Sequence, residues 1–164
     1  MKNISIIVAF SENRVIGKNE KIPWYIIEDL KRFKQLTTDH TIIMGRKTWD
    51  SLPKKPLPNR TNIVITKNPD FVKSSECVIV NSINEALKLC IENAKETFII
   101  GGEQIYQEFL QYSNKIYLTY IDKKFDGDAF FPELNCDEWK TIESESHFDE
   151  KSQLYYTYNT LIKI

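Results

Sequence analysis

A carboxylate on the apolar side of a helix is the first residue in this sequence that invites chemistry. Across residues 22–37 (I-P-W-Y-I-I-E-D-L-K-R-F-K-Q-L-T), a pitch of about 100° per residue puts Ile26, Leu30, Phe33 and Leu36 on one face. Glu28, Lys31, Arg32 and Gln35 fall on the other. Asp29 lies inside the apolar arc, between the directions of Leu36 and Phe33, whereas Glu28 points to solvent. An ionised group facing a core is costly unless something specific pairs with it, and buried, perturbed acids gather at functional sites. The plainer account is that an acid in the first turn complements the helix dipole. The helix alone leaves both open.

Two glycine-bearing turns offer phosphate chemistry. Met44-Gly45-Arg46-Lys47-Thr48 and Ile100-Gly101-Gly102-Glu103 each lead from an apolar run into a helical pattern. Free N–H groups at a helix start bind phosphate, and glycine lets the backbone approach it; glycine after a strand is more often a plain tight turn. Neither turn is G-x-x-x-x-G-K-[ST] or G-x-G-x-x-G. Two of them together fit a dinucleotide better than a mononucleotide. Arg46-Lys47 beside the first, and Thr66-Lys67 after the next strand, add cations and a hydroxyl. Should the dinucleotide carry nicotinamide, they favour NADP over NAD.

The cations sharpen this. Eighteen of the 22 basic residues are lysine, and the four arginines are Arg14, Arg32, Arg46 and Arg60. In so lysine-biased a chain, each arginine is a candidate for flat, two-pronged binding of carboxylate or phosphate.

What must position these groups follows from the alternation of patterns. Residues 4–10 (I-S-I-I-V-A-F) read as a buried strand. Residues 11–25 form a long polar loop of the kind that often serves as a lid, with Val15-Ile16 and Pro23-Trp24 as apolar anchors. After the Asp29 helix come a strand at 41–44, a helix from Gly45 through Leu52, a proline-rich loop ending at Asn59-Arg60, and strands at 62–66 and 77–80. Ser82-x-x-Glu85 is a capping box opening a helix at 83–93, with Ala86, Leu87, Cys90 and Ile91 on one side. A strand at 97–100 and a helix at 103–111 follow; strand patterns at 115–122, 139–148 and 153–162 close the chain. Alternating strand and helix implies right-handed crossovers and a parallel sheet buried on both faces. The expected fold is therefore an α/β three-layer domain over 1–164: a mostly parallel central sheet flanked by helices, with a C-terminal antiparallel hairpin at one edge.

Composition excludes other classes. A net charge of −1 gives no reason to expect nucleic acid or an anionic membrane as partner, and no apolar run approaches a membrane span. Cys77, Cys90 and Cys136 have no metal spacing and read as reduced thiols of a cytoplasmic protein. His40 and His147 sit in no cluster, so no metal site is expected.

Six motifs, in order, carry a family resemblance. They are Val15-Ile16-Gly17 with Ile22-Pro23-Trp24…Asp29-Leu30; Met44-Gly45-Arg46-Lys47-Thr48-Trp49-Asp50-Ser51; Pro56-Leu57-Pro58-Asn59-Arg60; Ile100-Gly101-Gly102-Glu103-Gln104-Ile105-Tyr106; Leu118-Thr119-Tyr120-Ile121; and Gly127-Asp128 with Phe131-Pro132. With these the chain resembles dihydrofolate reductase almost end to end. Three positions depart from the family pattern. Ile27 replaces a second proline, which is expected to loosen the helix start. Asn59 replaces a glycine, and asparagine is the next residue best able to adopt a left-handed turn. Glu103 and Gln104 stand where some bacterial members have an arginine near the adenosine phosphate.

The resemblance implies NADPH-dependent reduction of 7,8-dihydrofolate to 5,6,7,8-tetrahydrofolate, supporting one-carbon metabolism and thymidylate and purine synthesis. It implies antifolate inhibitors as ligands, and a cytoplasmic monomer. Asp29, Thr119 and Trp24 would form the catalytic set, Asp29 and Thr119 meeting the pterin. Ile7, Val8, Leu30, Phe33, Leu52, Leu57 and Ile100 would hold the pterin and benzoyl portions, and Arg60 the glutamate α-carboxylate. Ala9, Ile16, Gly17, Ile22, Ile100 and Tyr106 would face the nicotinamide. Gly45, Arg46, Lys47, Thr48, Thr66, Lys67, Gly101, Gly102, Glu103, Gln104 and Ile105 would hold the rest of the cofactor. Arg14 and Arg32 have no such role and read as surface residues. Two rivals remain: a reductase of the same fold acting on a phosphoribosyl-aminopyrimidine of riboflavin synthesis, and a non-catalytic nucleotide-binding module.

Overall fold

The N-terminal apolar run becomes β1 (Ile4–Ser11), buried at every residue but Ala9, in a computed structural model that describes residues 3–72 and 76–164. A strand hidden on both faces needs parallel neighbours carrying helices. β1 lies between β6 (Thr97–Gly101) and β7 (Lys115–Ile121), both parallel to it. Beyond β6 come β3 (Thr41–Gly45), β4 (Thr61–Ile65) and β5 (Val78–Val80), again parallel. Beyond β7 lie β10 (Leu154–Lys163) and then β9 (Trp139–Asp149), both antiparallel to their neighbours, so the closing hairpin forms one edge of an eight-stranded sheet.

Side chains alternate across a strand, and the two faces of the sheet bury different sets. Ile7, Ile42, Met44, Val64 and Phe98 pack with α1 (Ile27–Thr37) and α2 (Arg46–Ser51) through Phe33, Leu36 and Trp49. Ile4, Ile6, Val8 and Ile99 pack with α3 (Ile83–Glu92) and α4 (Glu103–Phe109) through Ala86, Leu87, Cys90, Ile105 and Phe109. The three-layer expectation holds. Among the described residues no helix is long and apolar enough to cross a membrane, and the cysteines form no disulfide.

Local readings need three corrections. The stretch 11–25 is not all loop: β2 (Val15–Gly17) pairs antiparallel with β8 (Ala129–Phe130). A three-residue strand whose partner lies more than 110 residues away leaves no periodicity to read. Ile91 is 62 % exposed and Leu30 48 %, because a helix packed on a sheet buries a narrower stripe than the apolar arc suggests. In the capping box Ser82 Oγ accepts from Glu85 N (3.1 Å), but Glu85 Oε2 accepts from Asn81 N (3.0 Å) rather than from its own cap. At the start of α1, Ile26 O accepts from both Asp29 N and Leu30 N.

The β2–β8 contact depends on a missing side chain. A Cβ on Gly127 would lie 2.3 Å from Val15 Cγ1 and 2.8 Å from the Gly17 carbonyl oxygen. Gly127→Ala is therefore expected to cost about 1–3 kcal/mol by overpacking, read as a lower denaturant midpoint; an unchanged midpoint would refute the close approach.

Candidate active site

The first turn of α1 points Asp29 at β7, not into the hydrocarbon of the core. Thr119 Oγ1 donates to Asp29 Oδ1 at 2.6 Å. Burial raises the carboxyl above its ordinary range, opposed by that hydrogen bond and by the positive charge of Arg32. Among the described residues the inward acid thus has one hydroxyl partner and an acceptor oxygen left over. With Leu30 exposed, Ile26 is the buried residue at the helix start, and Phe33 and Leu36 carry the packing further along.

An apolar wall stands beside this pair. Ile7, Phe33, Leu52, Leu57 and Ile100 belong to one cluster. Val8 does not: its side chain lies on the opposite face of the sheet, among the residues under α4. Alternation along β1 forbids adjacent residues from sharing a wall, so the expectation for Val8 is corrected. Ala9, two residues from Ile7, keeps Ile7's face and pairs with Thr119 across the ladder.

Behind Leu57 a buried side chain holds the turn. Asn62 Oδ1 accepts from Leu57 N (3.0 Å), and its Nδ2 donates to the carbonyls of Leu57 (3.0 Å) and Arg60 (3.1 Å). Asn59 takes the left-handed conformation at φ 61°, as its place in the motif suggested. Arg60 then donates from Nε to Pro58 O (2.9 Å) and from Nη1 to Thr37 Oγ1 (3.1 Å), and burial pulls its guanidinium down from the ordinary value. The outer edge of the fork borders a cavity of about 410 Å³ with Asp39, Asn59, Thr61 and Lys95. The sequence reading missed Asn62, although a polar residue inside an apolar strand was the available signal.

The two glycine turns meet. Met44 pairs with Gly101 across β3 and β6, and a Cβ on Gly102 would sit 3.4 Å from Thr48 Oγ1. Gly101 has φ 122°, and a Cβ there would lie 3.2–3.3 Å from the ring of Tyr106, whose buried hydroxyl donates to Ile7 O at 2.9 Å. Burial also pushes that phenol up, keeping it neutral. Gly101→Ala is expected to cost about 1–3 kcal/mol of backbone strain, visible as a lower melting temperature. A variant as stable as the parent would count against this.

Next to the turns opens a cleft of about 630 Å³, with Thr66, Lys67, Gln104 and Ile105 in its lining. Asn81, Ser82 and Ile83 line it too and were not foreseen. They form a third strand-to-helix turn at the same sheet edge, one without glycine; the rule that all such turns reach the carboxyl ends of the strands would have found it. Arg46 Nη1 lies 3.1 Å from Asp50 Oδ2, and Lys47 is exposed at the same turn. Glu103 Oε1 accepts from Phe130 N at 3.2 Å, which ties its carboxylate to β8.

The loop before α1 is docked rather than loose. Asn13 exchanges hydrogen bonds with the Phe125 backbone (2.8 and 3.1 Å), and Asp128 accepts from Asn19 N (2.9 Å) while donating its own N–H to Gly17 O (3.0 Å). Trp24 packs on Phe125 at 5.1 Å between ring centroids. Ile16 and Gly17 are half-buried, and Ile22 is 58 % exposed. Arg14 and Arg32, expected on the surface, are both half-buried: Arg14 donates to Phe131 O (2.9 Å), and Arg32 lies over the Tyr158 ring. No group of metal-ligating side chains occurs among the described residues.

Comparison with known proteins agrees on one family. The family model described as dihydrofolate reductase matches residues 3–163. A dihydrofolate reductase of Buchnera aphidicola (from Acyrthosiphon pisum, strain APS) is 47 % identical over 161 residues, covering 97 % of this chain and 98 % of that one. The Bacillus subtilis (strain 168) enzyme is 42 % identical, covering 94 % and 91 %. Among solved structures, dihydrofolate reductase from Enterococcus faecalis complexed with NADP(H) and RAB-propyl superposes with a TM-score of 0.90 at 35 % identity, covering 98 % of this chain and 95 % of that one.

Proposed function

The chain belongs to the dihydrofolate reductase family, and we propose that it reduces 7,8-dihydrofolate to 5,6,7,8-tetrahydrofolate with NADPH. The observation that carries this reading is the Asp29–Thr119 pair, a partly buried carboxylate whose partner is a hydroxyl. The residues present suit a dinucleotide phosphate: two adjoining glycine turns packed closely against Ile105, Tyr106 and Thr48, and a cleft of about 630 Å³ offering Thr66, Lys67, Asn81 and Ser82. Bound there, NADPH would supply the hydride. The neighbour's printed NADP(H) supports the same choice.

The rest is done by this chain. The Asp29 carboxylate accepts hydrogen bonds from the amino group and ring nitrogen of the pterin, with Thr119 sharing the contact. The ring's C=N bond takes the hydride at carbon and a proton at nitrogen. Asp29 polarises the ring towards that protonation, and a water carries the proton. Ile7, Leu30, Phe33, Leu52, Leu57 and Ile100 hold the flat rings, so Leu30's exposure serves the ligand rather than the core. Ala9, Ile16, Gly17, Ile22 and Tyr106 face the nicotinamide, and Arg60 takes the glutamate α-carboxylate. The docked 11–25 segment, anchored by Trp24, excludes water. The product would feed one-carbon transfer to thymidylate and purines, in a cytoplasmic monomer sensitive to antifolates.

The test is NADPH oxidation followed by absorbance. It should require dihydrofolate; oxidation driven instead by a phosphoribosyl-aminopyrimidine would replace the substrate. An antifolate and NADPH should each raise the melting temperature, and together raise it further.

A further inference from the structure

Arg32 follows Asp29 by three positions on α1, a spacing that makes two side chains neighbours on the helix surface, here at the border between the apolar and polar arcs. Its guanidinium carbon lies 4.0 Å from the centroid of the Tyr158 ring. Tyr158 is no arbitrary neighbour: it pairs across the β7–β10 ladder with Thr119, the residue whose hydroxyl meets Asp29. The ring is itself braced, 5.4 Å from Tyr156 and 5.1 Å from His147. Arginine stacks flat on an aromatic face and keeps its charge, so the shelf gives that charge a fixed address.

We infer that Arg32, laid on the Tyr158 ring, is a positioning residue for Asp29, fixing a positive charge one helical turn from the carboxylate with β10 as its support. The idea rests on Asp29 being the group that meets the pterin. Around the acid, α1 supplies Glu28 and Arg32, β7 supplies Thr119, and β10 supplies Tyr156 and Tyr158. From β9, His147 stacks on Tyr156 with Glu145 Oε1 2.8 Å from its Nε2. Of these groups, Arg32 is the permanent cation. Burial, and then the charge of Asp29, pushes the Tyr158 phenol up and keeps it neutral, so the shelf adds no second negative charge. Arg32 and Thr119 together favour the ionised carboxylate that a pterin needs, against a burial that disfavours it.

The experiment follows the Asp29 carboxyl carbon by NMR against pH in ligand-free, full-length protein, the signal assigned by its loss in Asp29→Asn. In Arg32→Gln the midpoint should move up, and Arg32→Lys should restore part of the shift. Tyr158→Leu, which leaves Arg32 in the chain, should move it the same way, whereas Tyr158→Phe keeps the ring and should match the parent. At the acid end, KM for dihydrofolate in Arg32→Gln should rise about fivefold, the scale of a partly exposed ion pair, with KM for NADPH unchanged. A folded Arg32→Gln protein whose Asp29 midpoint stays at the parent value would overturn the proposal, since a residue that only pins α1 to β10 would not move it. A parental midpoint in Tyr158→Leu would overturn the role of the shelf. Because the titration is read without substrate, it stands or falls apart from the assignment of dihydrofolate.

Discussion

Asp29→Asn should lose about 10²–10³-fold in kcat/KM for dihydrofolate while the protein becomes more stable at neutral pH. The rate loss has the scale of removing one preorganised electrostatic contact from an active site; asparagine keeps the shape but brings a donor where the pterin also donates. The stability gain follows from linkage. Burial raises the folded-state carboxyl above its ordinary 3.8, so between that value and the raised one the folded state binds more proton than the unfolded state. Stability contributed by this group therefore falls as pH rises through the window, and above it the full cost is present. Asparagine removes that cost. The melting temperatures of parent and variant should converge below the unfolded value and separate, variant higher, towards neutrality. Such an exchange of stability for function is common where an active site holds an unfavourable group. A variant that melts below the parent at pH 7, or that turns over dihydrofolate at the parent rate, would sink the assignment.

Arg60→Leu should raise KM for dihydrofolate about 30-fold and leave the KM for NADPH alone. Removing one member of a hydrogen-bonded charge pair costs about 2–5 kcal/mol when the pair is desolvated. Arg60 is half-exposed, so the lower end applies, and about 2 kcal/mol is roughly 30-fold. Arg60→Lys should recover only part of this, because lysine cannot reproduce the fork that Pro58 O and Thr37 Oγ1 hold in place. Dihydropteroate, which lacks the glutamate, is the control: it should react equally with parent and variant. Equal losses for both substrates would mean that Arg60 supports the turn and does not touch the ligand.

Much of the architecture is local chemistry. The β1 run, the helix after it and the strand–turn–helix repeats are written in apolar spacing, and the parallel sheet follows from their order. The glycine turns were legible as strand-to-helix turns, though glycine alone does not separate a phosphate site from a tight turn, and Asn59 because asparagine enters the left-handed region readily, as its φ of 61° bears out. Asp29 could be singled out since helical pitch alone places a carboxylate among apolar neighbours.

Pairing across long stretches of chain was not legible. Helical pitch could say that Asp29 faced inward, and the family resemblance named Thr119 beside it, but only the fold brings that hydroxyl, 90 residues away, within 2.6 Å of the acid. The same holds for Val15 in β2 against β8, for Glu103 reaching Phe130, and for Asn81 and Ser82 entering the cleft. Arg32 shows the limit most plainly: its position on the polar arc suggested solvent, yet β10 brought Tyr158 beneath it. Periodicity reports which way a side chain leaves its own element. What it meets depends on which elements the sheet order brings alongside, and that is settled only when the chain closes on itself.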